Sequence, residues 1–308
     1  MTSLYGLITN RRWTILGMAL LSTVVFAGSA VGADYVKSYS ISNRAVVHVT
    51  TNDGSVSVVT DDTKQVELRV EYQGYDLNKT LHIDSSQQGD QVELTARVVG
   101  QFGIMLGRRR MHIEIRMPKD GDLQVETGDG AVDASALSGN ITIHTHDGSI
   151  SANHLSGMID LHSGDGSITV SSLMGGVRLR TGDGAIDGSD LDGKYEADSG
   201  DGRIRLTGRF DALKVKSGDG GIDARALQGS TLDVPWNIVT SSGSVEIALP
   251  GNLQVSIDAT TGDGHISLDM PVTVEGVISK SQVHGKLNGG GQTLTIHTGD
   301  GSIHLKQV

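Results

Sequence analysis

An all-β solenoid is the fold this sequence predicts, and three observations predict it. A Gly-Asp-Gly signature recurs at a strict spacing of 18, apolar columns keep the same spacing, and outward charges alternate in sign from one repeat to the next. The signature is centred on Asp129, Asp165, Asp183, Asp201 and Asp219, with His146-Asp147-Gly148 in the remaining place.

The apolar columns define the strands. Six and four residues before the aspartates stand Leu123/Val125, Ile141/Ile143, Ile159/Leu161, Val177/Leu179, Tyr195/Ala197 and Leu213/Val215. Three residues after them stand Val132, Ile150, Ile168, Ile186, Ile204 and Ile222, and a further leucine follows at Leu137, Leu155, Leu173, Leu191 and Leu227. Arg209-Phe210 interrupts this last series. Polar residues alternate with these positions, so each unit reads as two short period-two strands joined by the Gly-Asp-Gly corner. A second corner falls near Gly139, Gly157, Gly175, Gly193 and Gly229. Glycine is expected at these corners for positive φ, and aspartate for an Asx-turn. One unit cannot bury its apolar face alone, whereas units stacked roughly 4.8 Å apart share one spine and pair every strand above and below.

Stacking in register makes residues 18 apart cross-strand neighbours, and the charges test this. Asp160, Arg178, Glu196 and Lys214 form one column, Arg180, Asp198 and Lys216 a second, and Asp187, Arg205 and Asp223 a third. Opposite charges fall on neighbours in all three.

Weaker copies extend the array. Asp53 carries one framed by Val47, Val49, Val56 and Val58; Ser242-Gly243 carries another with Trp236, Ile238, Val245 and Ile247; Asp263 and Asp300 carry two more. Longer alternating strands between residues 60 and 120 predict a widened first section or cap with antiparallel pairing. The glycine-rich stretch 270–292 reads as an excursion before the last coil. The expected organisation is a leader over 1–33, an N-terminal β cap with the first coils over 34–122, and solenoid repeats over 123–308.

The run Met117-Pro118-Lys119-Asp120-Gly121-Asp122-Leu123-Gln124-Val125-Glu126-Thr127-Gly128-Asp129-Gly130, with the recurring Thr-Gly-Asp-Gly-X-Ile units, resembles the bacterial "putative adhesin" domain family of unknown function. The resemblance covers roughly residues 40–308 and implies an exported or membrane-tethered β-strand-repeat protein. It implies no catalytic residues.

Arg11-Arg12, the apolar run Trp13 to Ala27 and the small residues Val31-Gly32-Ala33 have the build of a secretory signal peptide cleaved after Ala33. An uncleaved membrane anchor is the competing reading, since the run approaches the ~20 residues needed to span a bilayer. The arginine pair fits an ordinary charged n-region as well as a twin-arginine signal. Export places the chain in the periplasm, at the cell surface or in the medium. The first 33 residues hold two arginines and no acid, so the net charge of −11 becomes −13 without them, which argues against nucleic-acid binding. With no cysteine, neither disulfides nor a lipidated cysteine contribute.

Several groups invite chemistry. Asp129, Asp147, Asp165, Asp183, Asp201 and Asp219 form a carboxylate ladder, but one aspartate per turn supplies too few of the six to eight oxygens calcium takes, so a turn role is expected. His144 and His162 share an outward column with His146 nearby, a geometry open to a surface metal, but no thiolate is available and histidine facing solvent is usually just solvated. The segment 101–110 places Phe102, Ile104, Met105 and Leu106 beside Arg108, Arg109 and Arg110. It offers contact with an anionic membrane or a partner, or else forms a hairpin loop folded back on the cap. The repeats are too uniform for a catalytic cluster, the Gly-X-Gly strings lack a following helix, and no cofactor is expected. The expected function is a non-catalytic, adhesin-like interaction module for a surface polymer or envelope protein. A β-helix carbohydrate-active enzyme and an envelope stress or signalling partner are the alternatives.

Overall fold

The computed structural model describes residues 33–100, 109–274 and 279–308, and all its regular structure is strand. The leader expected over 1–33 therefore lies outside the described residues apart from Ala33. So do Phe102, Ile104, Met105, Leu106 and Arg108. Among the described residues no helix is long and apolar enough to cross a membrane.

Each coil enters the Gly-Asp-Gly corner on one strand and leaves it on another, and successive coils pair in parallel, which builds an entry face and an exit face. On the entry face Gly121–Thr127, Ser138–Thr145, Ser156–Ser163 and Met174–Thr181 stack so that Leu123, Ile141, Ile159 and Val177 lie in register. On the exit face Val132, Ile150, Ile168, Ile186, Ile204 and Ile222 pair in the same way. All of these residues are buried. The alternation of the sequence thus becomes one continuous spine, because two coils 18 residues apart present the same side-chain directions.

Two strands depart from the expectation of two short strands per coil. Ile186–Ser199 and Ile204–Ser217 each run through the second corner as 14-residue strands. The corner is blunted where Phe210 takes the place of the column leucine. Phe210 is fully buried and stands edge-on between Tyr195 and Trp236, with ring centroids 5.6 Å and 6.1 Å away. Leu227, expected in the leucine column, is only half-buried.

Glycine serves the two corners differently from the expectation. At the second corner positive φ does occur, at Gly157 (117°) and also at non-glycine positions 18 apart, Ala136, His154, Ser172 and Asp190. At the Gly-Asp-Gly corners of the regular coils the requirement is close approach. A Cβ on Gly148 would stand 2.0 Å from the carbonyl oxygen of Gly130 in the coil beneath. Stacked backbone, rather than torsion, excludes a side chain there.

At both ends the stacking order departs from chain order. Ala45–Thr51 lies between Gln91–Val98 and Gly121–Thr127, so the first coil is second in the stack, next to an outer coil that contains Gln91–Val98 and Arg110–Pro118. Antiparallel strands close this end: Leu81–Gln88 on Gln91–Val98, and Ala33–Ser40 on Gln65–Gln73, which itself pairs antiparallel with Arg110–Pro118. At the other end Thr293–Thr298 inserts between Trp236–Thr240 and Val255–Thr261, and Ile303–Gln307 between Val245–Leu249 and Ile266–Asp269. The excursion expected over 270–292 instead includes Gln282–Leu287, paired antiparallel with Val255–Thr261 as a closing strand. The coil last in sequence is therefore not last in space.

Candidate interaction surface

The corner edge comes first, because the aspartate ladder runs along it. Asp129, Asp147, Asp165, Asp183, Asp201 and Asp219 are all exposed. An aspartate bond to the following backbone N–H occurs at Asp53, where Gly54 N donates to Asp53 Oδ1 at 2.7 Å, while Asp219 accepts from Ser242 Oγ at 3.0 Å. The corner is tied instead by a buried hydroxyl two residues earlier. Ser163 Oγ donates to Gly148 O of the previous coil at 2.8 Å and accepts from Gly166 N of its own corner at 2.9 Å. Thr145, Thr181, Ser199 and Thr240 repeat both bonds. The column Thr127, Thr145, Ser163, Thr181, Ser199, Ser217 was legible as a strict Thr/Ser position, but the aspartate drew attention away from it. The carboxylates are left as an outward acidic edge. Among the described residues no group of three or more His, Asp or Glu is placed to hold a metal ion.

The described part of the basic segment meets this edge. The Arg109 guanidinium lies 5.5 Å from the Tyr75 ring centroid, and Tyr75 Oη donates to Asp53 Oδ2 at 3.1 Å. Arg110 is exposed and opens the strand that pairs with Gln73.

The outer side of the entry face carries the predicted charge columns. Arg178 lies 3.8 Å from Asp160 and 3.2 Å from Glu196, and Lys214 Nζ donates to Glu196 Oε1 at 2.7 Å. Lys214 and Arg178 together hold the Glu196 carboxyl below its ordinary pKa. On the exit face Arg205 bridges Asp187 at 2.9 Å and Asp223 at 3.8 Å. Arg180, Asp198 and Lys216 are neighbours in register, yet no ion pair joins them. The structure stacks His144 on His162 with ring centroids 5.7 Å apart, edge to face, and both are exposed. Partial burial, with His144 and Arg180 nearby, lowers the His162 pKa and favours the neutral ring.

Beside these columns lies a groove of about 430 Å³ that crosses four coils. One wall is Asn140, Met158, Gly176 and Lys194, and the other Thr142, Asp160, Arg178 and Glu196, each set in register. The groove exists because Gly176 interrupts its column: Met158 leans over the gap, its sulfur 3.0 Å from where a Gly176 Cβ would stand. Met158 and Met174 are 64% and 59% exposed, the two most exposed large apolar side chains described. Sequence periodicity did not single them out, since both stand in outward columns. The floor is rigid: Tyr195 is buried, and its hydroxyl donates to Leu173 O at 2.6 Å.

Among solved structures the chain is similar to a "putative lipid binding protein" from Parabacteroides distasonis, with 14% identity over 88% of this chain and 96% of that chain and a TM-score of 0.38. It is similar to a "putative adhesin" from Bacteroides fragilis, with 10% identity over 90% and 97% and a TM-score of 0.35. It is also similar to a "putative cell adhesion protein" from Clostridium sporogenes, with 13% identity over 90% and 100% and a TM-score of 0.27. No curated protein matches it. The Toastrack DUF4097 family model matches residues 46–306, which is most of the chain. This protein belongs to the Toastrack DUF4097 family, a β-solenoid family of unknown function.

Proposed function

We propose that the chain is an exported, non-catalytic interaction module that binds a surface polymer or an envelope protein across several coils of its entry face. The observation that carries this reading is the groove crossing four coils, walled by side chains that repeat in register. Each coil adds two wall residues, bare backbone standing in at Gly176, so an extended ligand meets a new set of contacts at a spacing of about 4.8 Å. The parallel ladders beneath already order the backbone that carries these side chains, and little backbone freedom is lost on binding. A polymer matches this surface better than a compact small molecule does.

The reading is tested with oligomers of increasing length prepared from purified cell-surface polymers. Affinity is expected to rise with length until the oligomer spans the four groove-lining coils and then level off. Affinity independent of length, or cleavage of the oligomers, overturns it.

A further inference from the structure

We propose that the occupant of the groove is a uronate-bearing polysaccharide, with Lys194 as the residue that reads its carboxylate. This rests on the reading that the entry-face groove binds a polymer. It adds the chemical class and the specificity-determining residue.

Three features point to this class. The first is the arrangement of charge. Of the four charged residues lining the groove, Asp160, Arg178 and Glu196 are committed to one another and to Lys214. Lys194 is exposed, and its side chain forms no ion pair or hydrogen bond among the described residues. The groove therefore presents one uncommitted cation, which a carboxylate complements. The second is the mixture of surfaces. Met158 and the backbone at Gly176 make an apolar platform suited to the C–H face of a pyranose ring, and exposed Met174 lies two residues before Gly176 on the same strand. Asn140, Thr142, Asp160 and Glu196 supply donors and acceptors for its hydroxyls. A plain hydrocarbon would leave that polar wall unsatisfied, and a flexible polyanion such as polyphosphate would leave the platform unused. The third is length. From Asn140 to Lys194 are three coil spacings, about 14 Å, enough for a short oligosaccharide lying along the solenoid axis.

The acidity of the whole chain does not oppose this. The aspartate edge lies five residues along the strand from the Asp160–Arg178–Glu196 column, about 16 Å away. That is about two screening lengths at physiological ionic strength, so charges at the groove itself decide its sign.

The test uses the full chain labelled at its methionine methyl groups and two ligands of the same length, tetragalacturonate and its fully methyl-esterified form, in which each carboxylate is replaced by a neutral methyl ester. The Met158 and Met174 resonances are expected to shift on titration while those of buried Met111 and Met117 stay, and the acid is expected to bind about three- to fivefold more tightly than the ester. Lys194→Gln should erase that preference, and its exposed side chain makes loss of folding an improbable confounder. Gly176→Leu, which fills the gap from an extended backbone position, should abolish binding of both ligands with the thermal midpoint retained. Equal binding of acid and ester by the native chain, or a preference that survives Lys194→Gln, overturns the uronate assignment but leaves the polymer reading intact. Failure of both ligands to shift Met158 also overturns it, and the length series described above then decides whether the groove binds any polymer.

Discussion

The coils between residues 121 and 226 and the coils at the two ends use the same columns, but they are stacked by different rules. In the middle, chain order and spatial order coincide, and each coil rests on its predecessor with Ile150, Ile168 and Ile186 directly superposed. Followed outward from the middle, the chain at each end skips one layer, builds an outer coil, reverses through antiparallel pairing and fills the gap on its return. The corner hydroxyls record the detour: Thr298 donates to Gly243 O and Thr261 to Gly301 O, so the order is 243, 301, then 264. A parallel stack exposes unpaired backbone groups and an apolar core at each end. Here the outermost layers are held by segments distant in the chain, Gln91–Val98 by Ala45–Thr51 and Val255–Thr261 by Thr293–Thr298. Middle coils are interchangeable units, whereas end coils are interlocked ones.

Deletions should separate these regimes most strongly. Removing residues 146–163 takes out one period of the regular stack and rejoins equivalent positions, so a folded, slightly shorter solenoid with a cooperative melt is expected. Removing residues 289–308, a loss of similar length, empties a layer from the interior of the C-terminal end. Amide exchange over residues 236–287 should then lose its protection, and retained protection there would refute the interlock.

The next largest contrast is between glycines. In Gly148→Ala the new methyl would overlap Gly130 O at 2.0 Å, and strand spacing cannot give way without breaking the ladder. A loss of more than about 3 kcal/mol is expected in urea unfolding. Gly89 turns between two closing strands with φ of 64° and nothing within 4 Å of a would-be Cβ, so Gly89→Ala should cost only the left-handed strain, about 1–2 kcal/mol.

Corner side chains come third. Thr145→Val leaves a buried carbonyl and a buried N–H without the hydroxyl, and should cost about 1–3 kcal/mol. At the end coil the Thr51 hydroxyl donates to Asp53 O within its own corner, and Thr51→Val should cost less. Asp147→Ala, at an exposed carboxylate, should fall within about 0.5 kcal/mol of zero. If Asp147→Ala proved the most damaging of the three, the assignment of the corner to the hydroxyl would be wrong.

The smallest effect concerns acid. Glu196 in the middle is held below its ordinary pKa first by Lys214 and then by Arg178, and Glu246 near the end by Lys306. A carboxylate depressed in the folded state contributes stability above its unfolded pKa and loses it as pH falls through the folded value. The window therefore opens just below 4.5. Each contribution should stay under about 1 kcal/mol because both side chains are partly exposed. Comparing urea midpoints at neutral and acid pH, both Glu196→Gln and Glu246→Gln should narrow the difference, since Lys214 and Arg178 face Glu196 and Lys306 and His304 face Glu246.

Much of this was legible in the residues themselves. The stacking of His144 on His162 and the ion pairs along Asp160, Arg178, Glu196 and Lys214 follow from a spacing of 18 alone. The corner chemistry was half legible. Glycine was expected for its torsions, yet at the regular corners it is required by the approach of the next backbone, a distance that exists only between coils. The groove was not legible. Gly176 looks like one more corner glycine, and its effect depends on Met158 above and Lys194 below.

By itself, the sequence determined the period, the columns and the identity of the buried face, because side-chain direction alternates along each strand and one repeat length superposes equal directions. Only the tertiary structure decided which coil rests on which at the ends. Every coil offers nearly the same columns above and below, so local preference accepts many neighbours. The choice falls to the layered closure that satisfies the last unpaired backbone groups and covers the last apolar side chains.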